Sequence, residues 1–461
     1  MSPRRFHILT FGCQMNVYDS DRLSRLLRSR GWEEAADPEE SALVFLNTCA
    51  VREKAAARVI ARLRELRSLK KRNPSLILGL GGCVAEHEGA RILETLPFLD
   101  LVVGPRRLPE VPLILEGDSP HGFPAVLLGD PGPAERLPES LVYPPPPAGR
   151  GIGRKAPVSA FVTVMEGCDN FCAYCVVPKT RGRERSRPRE EVLKEARALT
   201  ETGAVEIVLL GQNVNSYGRD SSRGDKEPNP FASLLRDLDA LSGLLRLRFT
   251  TSHPKNFPGE LIEAFRSLKT LCPHLHLPLQ SGSDGILKAM GRGYGYQRYL
   301  ETVRALRSAR PDLALSADVI CGFPGESAAD FQLTLEAVRE IRFDSLFAFR
   351  YSDRPGTRGA GMEGKVPEEE KARRLEALLK IQREISLSIN RGLVGRVLKV
   401  LPEGPGREAG QLTGRSGGNK IVNFFGDPSL LGRETDVLIT RAGPVSLLGE
   451  LTPPPAQAGA L

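Results

Sequence analysis

The chain has 461 residues, 41% hydrophobic and 26% charged, with a formal net charge of +8. This balance excludes a disordered chain, and the lack of any run of about eighteen uncharged apolar residues excludes a membrane-spanning helix. The length suits about three domains, each able to bury its own core, and the positive excess suits a polyanionic partner such as nucleic acid where it is clustered.

The opening MSPRRFHILTFG has no apolar signal segment and runs straight into a strand pattern, so a cytoplasmic location is expected. Residues 1–120 alternate strand-like stretches (FHILTF, ALVFL, LILGL, LDLVV) with helical ones at 21–30 and 55–71, a parallel α/β pattern. Ser20 reads as the N-cap of the first helix, Leu23, Leu26 and Leu27 as its apolar face, and Gly31 as its C-terminal stop. Residues 121–153 read as a stiff Pro/Gly-rich linker that includes the run Pro144 to Pro147.

Residues 154–391 begin a second series, with strands AFVTVM, VEIVLLG, LRLRFTT, LHLPLQ, LALSADVICG and SLFAFRYS. Six units fall short of the eight-unit barrel, which takes roughly 250 residues, so a partial (β/α)6 barrel is expected. Residues 366–390 read as one long amphipathic helix. Residues 392–455 carry short apolar runs (RVLKVL, KIVNFF, DVLIT, SLLGEL) between glycine-rich turns, the pattern of a small antiparallel β-barrel.

A reducing cytosol disfavours structural disulfides, so the eight cysteines are read first as metal ligands or catalysts. Cys168, Cys172 and Cys175 form a C-x3-C-x2-C triplet directly after the first strand of the second series. Three thiolates on one short loop can hold three corners of a cubane and leave the fourth iron open. Structural zinc would need a fourth ligand, and a purely electron-transferring cluster a fourth cysteine; neither stands nearby. Cys13, Cys49 and Cys83 each follow a strand and precede a helix. In a parallel sheet those strand ends share one edge, the edge at which open α/β sheets bind ligands, so a second cluster is expected there. Buried single cysteines also serve as small apolar residues, the reading given to Cys272 and Cys321.

The triplet, with Tyr174 immediately before its third cysteine, resembles the radical S-adenosylmethionine (SAM) superfamily. That resemblance implies an open iron that chelates SAM and a reductive cleavage yielding a 5′-deoxyadenosyl radical. Over nearly the whole chain, the domain order and the stretches GCQMNVYDSDR, GCDNFCAYCVVPKTRGRERSRP, LLGQNVNSYG, TTSHPKNF and HLPLQSGSDGILKAMGRGY resemble the MiaB-type methylthiotransferases. The resemblance implies two [4Fe-4S] clusters, SAM as methyl donor and radical source, and a C-terminal TRAM domain at GRVLKVLPEG to LLGEL. It also implies methylthiolation of carbon 2 of the adenine immediately 3′ of the anticodon. Relatives act on isopentenylated adenosine, threonylcarbamoylated adenosine or a ribosomal-protein aspartate. Gln14 and Met15 stand where the ribosomal-protein enzymes read Pro-Lys, which favours isopentenylated tRNA. Lys179 stands where many relatives carry an aromatic residue. A reading of another class is a non-catalytic iron-sulfur RNA-binding protein.

Gly211, Gln212 and Asn213, then Gln280 and Asp318, fall at strand ends on the expected active face and are candidates, with Tyr174, for SAM contacts. Lys179, Arg181, Arg183, Arg185 and Arg187 crowd the segment after the triplet, which suits RNA phosphates; residues 52–72 are also basic but read equally as a solvated helix with Val59, Leu63 and Leu66 inward. Phe424 is the aromatic candidate for RNA contact in the C-terminal barrel. The expected partners are the tRNA anticodon stem-loop and external donors of sulfur and electrons, with no membrane, and the chain is expected to act as a monomer.

Overall fold

The structure is a computed structural model that describes residues 4–50, 53–117, 123–132, 143, 157–220 and 228–452. Nearly all of the expected linker lies outside the described residues.

Six parallel strands form the first sheet: β1 (Arg5–Phe11), β2 (Glu33–Glu34), β3 (Leu43–Thr48), β4 (Ile77–Gly82), β5 (Leu101–Val103) and β6 (Ala125–Leu127), in the order β2-β1-β3-β4-β5-β6. Helices cover both faces, so the central strands are apolar throughout rather than alternating, and every residue of β3 is buried. On one face Phe6, Leu43 and Phe45 pack against Leu23 and Leu27; on the other Val44 and Leu46 pack against Val59, Leu63 and Leu66. Each such side chain contributes roughly 1.5–3 kcal/mol by leaving water.

The first helix spans Gln14–Ser29 and not 21–30. It starts two residues past Gly12, which follows β1 directly, with Cys13 as its N-cap. Ser20 is therefore an interior helical residue, and its hydroxyl is taken by Thr10 and Asn47. The apolar stripe starts late because the first two turns bury polar groups: Asn16, Asp19, Ser20 and Arg22 all face inward. Gly31 does end the helix, with a left-handed φ of 79°.

The central domain carries six parallel barrel strands in two groups. The first is β7 (Ser159–Thr163), β10 (Glu206–Leu210) and β11 (Arg246–Phe249); the second is β12 (His274–His276), β13 (Ala314–Cys321) and β14 (Ser345–Arg350). Between β7 and β10 in the chain a two-residue antiparallel ladder, β8 (Met165–Glu166) with β9 (Arg185–Ser186), closes the base of the triplet loop. Among the described residues a single bridge, Leu247 to Leu271, joins the two groups. The result is an open six-strand wall around one core that contains Leu209, Leu247, Leu275 and Leu315. Cys321 belongs to that core and Cys272 is buried beside it. The long helix is Glu368–Arg391.

The last domain is a closed barrel of β15 (Val397–Pro405), β16 (Gln411–Ser416), β17 (Ile421–Phe425), β18 (Thr435–Ala442) and β19 (Ser446–Leu451). Four pairings are antiparallel, and β17 with β19 is parallel. Val400, Leu412, Val422, Phe424, Val437 and Leu447 fill its interior. This barrel straddles the seam of the central wall. From the β11 side, Arg246 donates to the carbonyls of Arg415 and Lys399, and Arg248 to those of Ser416 and Gly417. On the β12 and β13 side, the Gly417–Gly418 turn rests against Pro273 and Ala314.

A candidate active site between two cysteine trios

The register of the first sheet pairs Phe11 with Thr48 and Thr48 with Gly82, so the residues that follow, Cys13, Cys49 and Cys83, gather at its carboxyl edge. Close approach there depends on glycine. Gly12 has φ of 148°, and a β-carbon on it would stand 2.6 Å from that of Cys49. Gly82 has φ of 86°, and a β-carbon there would meet the Thr48 carbonyl at 2.6 Å. A hydrogen bond with Cys49 lowers the Cys13 thiol to about 6 against the opposing effect of burial, helped by the Arg181 charge. Burial raises Cys83, and Arg181 again opposes it. Asn16 orients Cys13: its Oδ1 accepts from the Cys13 backbone at 3.2 Å and from the thiol at 3.3 Å. Asn47 locks Asn16 in turn, donating to its carbonyl at 2.9 Å.

Cys168, Cys172 and Cys175 sit on the loop that the β8–β9 ladder closes. Each sulfur receives one N–H at 3.4 Å: from Asn170 Nδ2, from Arg292 Nη1 and from the Val177 backbone, respectively. Such donors stabilise a thiolate and orient it as a ligand. Burial raises Cys168 and pushes Cys175 up to about 12, so a metal held by these sulfurs would have to displace their protons. Tyr174 is fixed by Arg292, which reaches its hydroxyl at 3.3 Å, the Tyr294 hydroxyl at 3.1 Å and the Pro278 carbonyl at 3.2 Å.

The two trios meet. Val176, next to Cys175, packs in one buried cluster with Ala50, Cys83 and Val84. Cys13 packs beside Met15, Val208 and Leu210, at the mouth of the central wall. Among the described residues no three His, Cys, Asp or Glu side chains are placed to hold one single metal ion. A cubane asks for a wider spacing, since each thiolate binds a different corner.

Of the candidate SAM residues, the Gly211–Asn213 turn grips the triplet loop. Gln212 Oε1 accepts from the Gly167 backbone, and Asn213 Nδ2 reaches Glu184 at 3.1 Å, whose carboxylate accepts from Asp169. Gln280 adopts φ of 73°, and its backbone pairs with Asp318 and Ile320. The Oε1 of Gln280 and the Oδ1 of Asn213 are buried acceptors with no hydrogen-bond partner, the kind of group a bound ligand satisfies. Asp318 lies 3.5 Å from His276 Nε2. Sequence reasoning missed His276, its neighbour Phe347, and Phe349 further along the same strand. His276 bonds Ser316 at 3.0 Å and meets the Phe347 ring edge-on. Phe347 and Phe349 are half-exposed, whereas Leu346 and Ala348 pack into the core, so β14 turns an aromatic face away from that core. The alternation in SLFAFR carried that signal.

The basic segment divides. Lys179 and Arg183 are exposed, Arg183 pairing with Asp169, and Arg185 is half-buried. Arg181 and Arg187 correct the phosphate-binding expectation: both are 3% exposed. Arg181 is consumed by Asp19 at 2.6 Å and Arg187 by Glu195 at 2.6 Å, with Tyr143 under its guanidinium. Glu195 also accepts from Arg25 at 3.1 Å and Tyr18 at 3.2 Å, so these groups form a buried ionic seam between the first two domains. Phe424 is corrected as well. It is fully buried in the last barrel, and strand alternation leaves Phe425, 54% exposed, as the outward aromatic.

Three family descriptions match in the order of the domains: Uncharacterized protein family UPF0004 over residues 5–104, the Radical SAM superfamily over 162–338 and the TRAM domain over 391–452. A tRNA-2-methylthio-N(6)-dimethylallyladenosine synthase from Geobacter metallireducens is 47% identical over 96% of this chain and 98% of its own. The enzyme of the same name from Syntrophobacter fumaroxidans is 46% identical over 99% of this chain and 97% of its own. The chain belongs to the tRNA-2-methylthio-N(6)-dimethylallyladenosine synthase family. Membership of the radical SAM superfamily brings SAM and a [4Fe-4S] cluster with it, and the triplet, with an N–H on each sulfur, has the donor set to hold that cluster. In fold the chain is similar to the solved radical SAM methyltransferase TsrM from Kitasatospora setae, with a TM-score of 0.57 at 15% identity over 89% of this chain and 78% of that one. No helix among the described residues is long and apolar enough to cross a membrane.

Proposed function

We propose that the chain converts N6-isopentenyladenosine, immediately 3′ of the anticodon in tRNA, to its 2-methylthio derivative. The observation that carries this reading is the shared packing of Val176 and Cys83, which sets the loop of one cysteine trio against a member of the other. The bond attacked is an unactivated aromatic C–H, with no acidic proton and no leaving group, so side-chain acids and bases alone do not break it. In this reading Cys168, Cys172 and Cys175 hold one [4Fe-4S] cluster, Cys13, Cys49 and Cys83 hold a second, and each leaves one iron without a protein ligand. When bound, the clusters and SAM supply the radical and sulfur-transfer chemistry.

The chain's own residues bind and orient. Asn170, Arg292 and the Val177 N–H hold the triplet sulfurs; Gln212 and Asn213 brace the loop that carries them. The free acceptors of Gln280 and Asn213 are offered to SAM. Phe347 and Phe349 offer a stacking face to the target adenine, with His276 and Asp318 as polar groups at its edge. Lys179 and Arg183 take RNA phosphates at the rim, and Phe425 is the outward aromatic of the TRAM barrel. The chain acts as a cytoplasmic monomer and draws sulfur and electrons from external donors.

Anaerobic incubation of the reconstituted chain with SAM, reductant and an isopentenylated anticodon stem-loop tests the reading. Nucleoside mass spectrometry is expected to show the 2-methylthio product. Formation of 5′-deoxyadenosine with modification only of a threonylcarbamoylated stem-loop or a ribosomal protein would overturn the substrate. Failure to form 5′-deoxyadenosine would return the chain to the non-catalytic class.

A further inference from the structure

Burying a guanidinium is costly unless charges and hydrogen bonds repay it. Arg181 rides on the triplet loop, six residues after Cys175, yet its side chain leaves its own domain. It ends, 3% exposed, at Asp19 of the first helix, with Nη2 2.6 Å from Oδ2. Asp19 itself is fully buried, and Arg22 stands 3.7 Å from its other oxygen. Arg22 is held more closely by Glu166, at 3.4 Å, so Asp19 is chiefly the partner of Arg181. The Nη1 of Arg181 has no hydrogen-bond partner. Arg181 ends the short helix 177–180, which packs on the helix that Cys83 opens, while its partner Asp19 sits on the helix that Cys13 caps, so the guanidinium lies between the two helices that carry these thiols and favours their ionised forms. The other buried arginines of this interface are paired elsewhere: Arg187 and Arg25 with Glu195, and Arg22 with Glu166.

Three thiolates around a cubane leave a net anion in a site where Cys49 and Cys83 are almost wholly shielded from water. A buried anion without a compensating charge is unstable, and each added electron raises the cost. We infer that Arg181 is a positioning residue for the second cluster: held by Asp19, it supplies the fixed positive charge that the Cys13–Cys49–Cys83 trio needs and sets how easily that cluster is reduced. Because the arginine comes from the loop of the first trio, the second cluster acquires its charge partner only when the two domains are docked. This inference rests on the two-cluster reading above.

The test uses the full chain with Cys168, Cys172 and Cys175 replaced by alanine, reconstituted anaerobically so that only the second trio can hold iron. Iron content and an EPR-monitored redox titration are measured for this parent and for added Arg181→Gln, Arg181→Lys or Arg187→Gln. Arg187→Gln disturbs the same interface away from the thiols. Expected is a lower midpoint potential, or loss of iron, in Arg181→Gln, with Arg181→Lys close to the parent and Arg187→Gln unchanged. An unshifted potential in Arg181→Gln at full iron content overturns the inference, as does an equal shift or equal iron loss in Arg187→Gln. A parent that binds no iron fails at an earlier step, sinking the two-cluster reading and the inference together.

Discussion

The two cysteine trios are brought together by opposite routes. One is local: three cysteines within eight residues, closed by a two-residue ladder and served by donors that are mostly its own neighbours, Asn170 and Val177. The other is assembled from three strand ends as far apart as Cys13 and Cys83. It exists only because β1, β3 and β4 are in register and Gly12 lets two of them touch. A local site inherits its geometry from a loop; an assembled one inherits it from a whole domain. The first should tolerate damage to the sheet, and the second should not.

The largest effect expected separates the two directly. Replacing Cys168, Cys172 and Cys175 with alanine is expected to leave about four of about eight irons and abolish 5′-deoxyadenosine formation. The same change at Cys13, Cys49 and Cys83 is expected to spare 5′-deoxyadenosine and abolish the methylthio product. Equal loss of SAM cleavage in both would break the distinction. Next, Gly12→Val introduces a strained φ and a clash with Cys49, and should lose about four irons while the triplet cluster keeps its spectrum. Retention of all the iron would show that the assembled trio has slack.

A smaller effect probes what joins the two. Glu195 lies between Arg25 and Arg187, and Glu195→Gln should cost about 3–5 kcal/mol by leaving buried guanidinium charge uncompensated, read by denaturant unfolding. Burial alone would raise this carboxyl, yet Arg187 and Arg25 hold it below the ordinary carboxylate range. Its contribution is therefore complete at and above that range and is lost as pH falls through the lower folded value, so the wild type should lose more stability on acidification than Glu195→Gln. The smallest expected effect is at the rim: Lys179→Ala should reduce the salt slope of tRNA binding by about one, while Arg187→Gln leaves it unchanged. A change of slope in both would restore the phosphate role that burial denies to Arg187.

The local trio was legible as a motif, and the assembled one as a rule about where parallel strands end. What the sequence concealed was partnership over distance. Arg181 and Arg187 look like their exposed neighbours until Asp19 and Glu195 arrive from elsewhere in the chain. Phe424 and Phe425 differ only in the phase of one strand, which a five-residue apolar run does not declare. Ser20 passed for a cap because the true start of that helix is built of polar residues turned inward. His276 and Phe347 went unremarked because their meeting depends on β12, β13 and β14 lying side by side.

The seam between β11 and β12 bears on how the chain can be divided. With one bridge across it, the central wall is two half-sheets, and the last barrel is the buckle that Arg246 and Arg248 fasten over the gap. A truncation before residue 392 would strip more than an RNA-binding appendage. It would uncover two buried arginines and remove the contacts made on both sides of the gap, leaving the shared core alone to hold the halves together, so the part of the chain that reads as an accessory also braces the central wall.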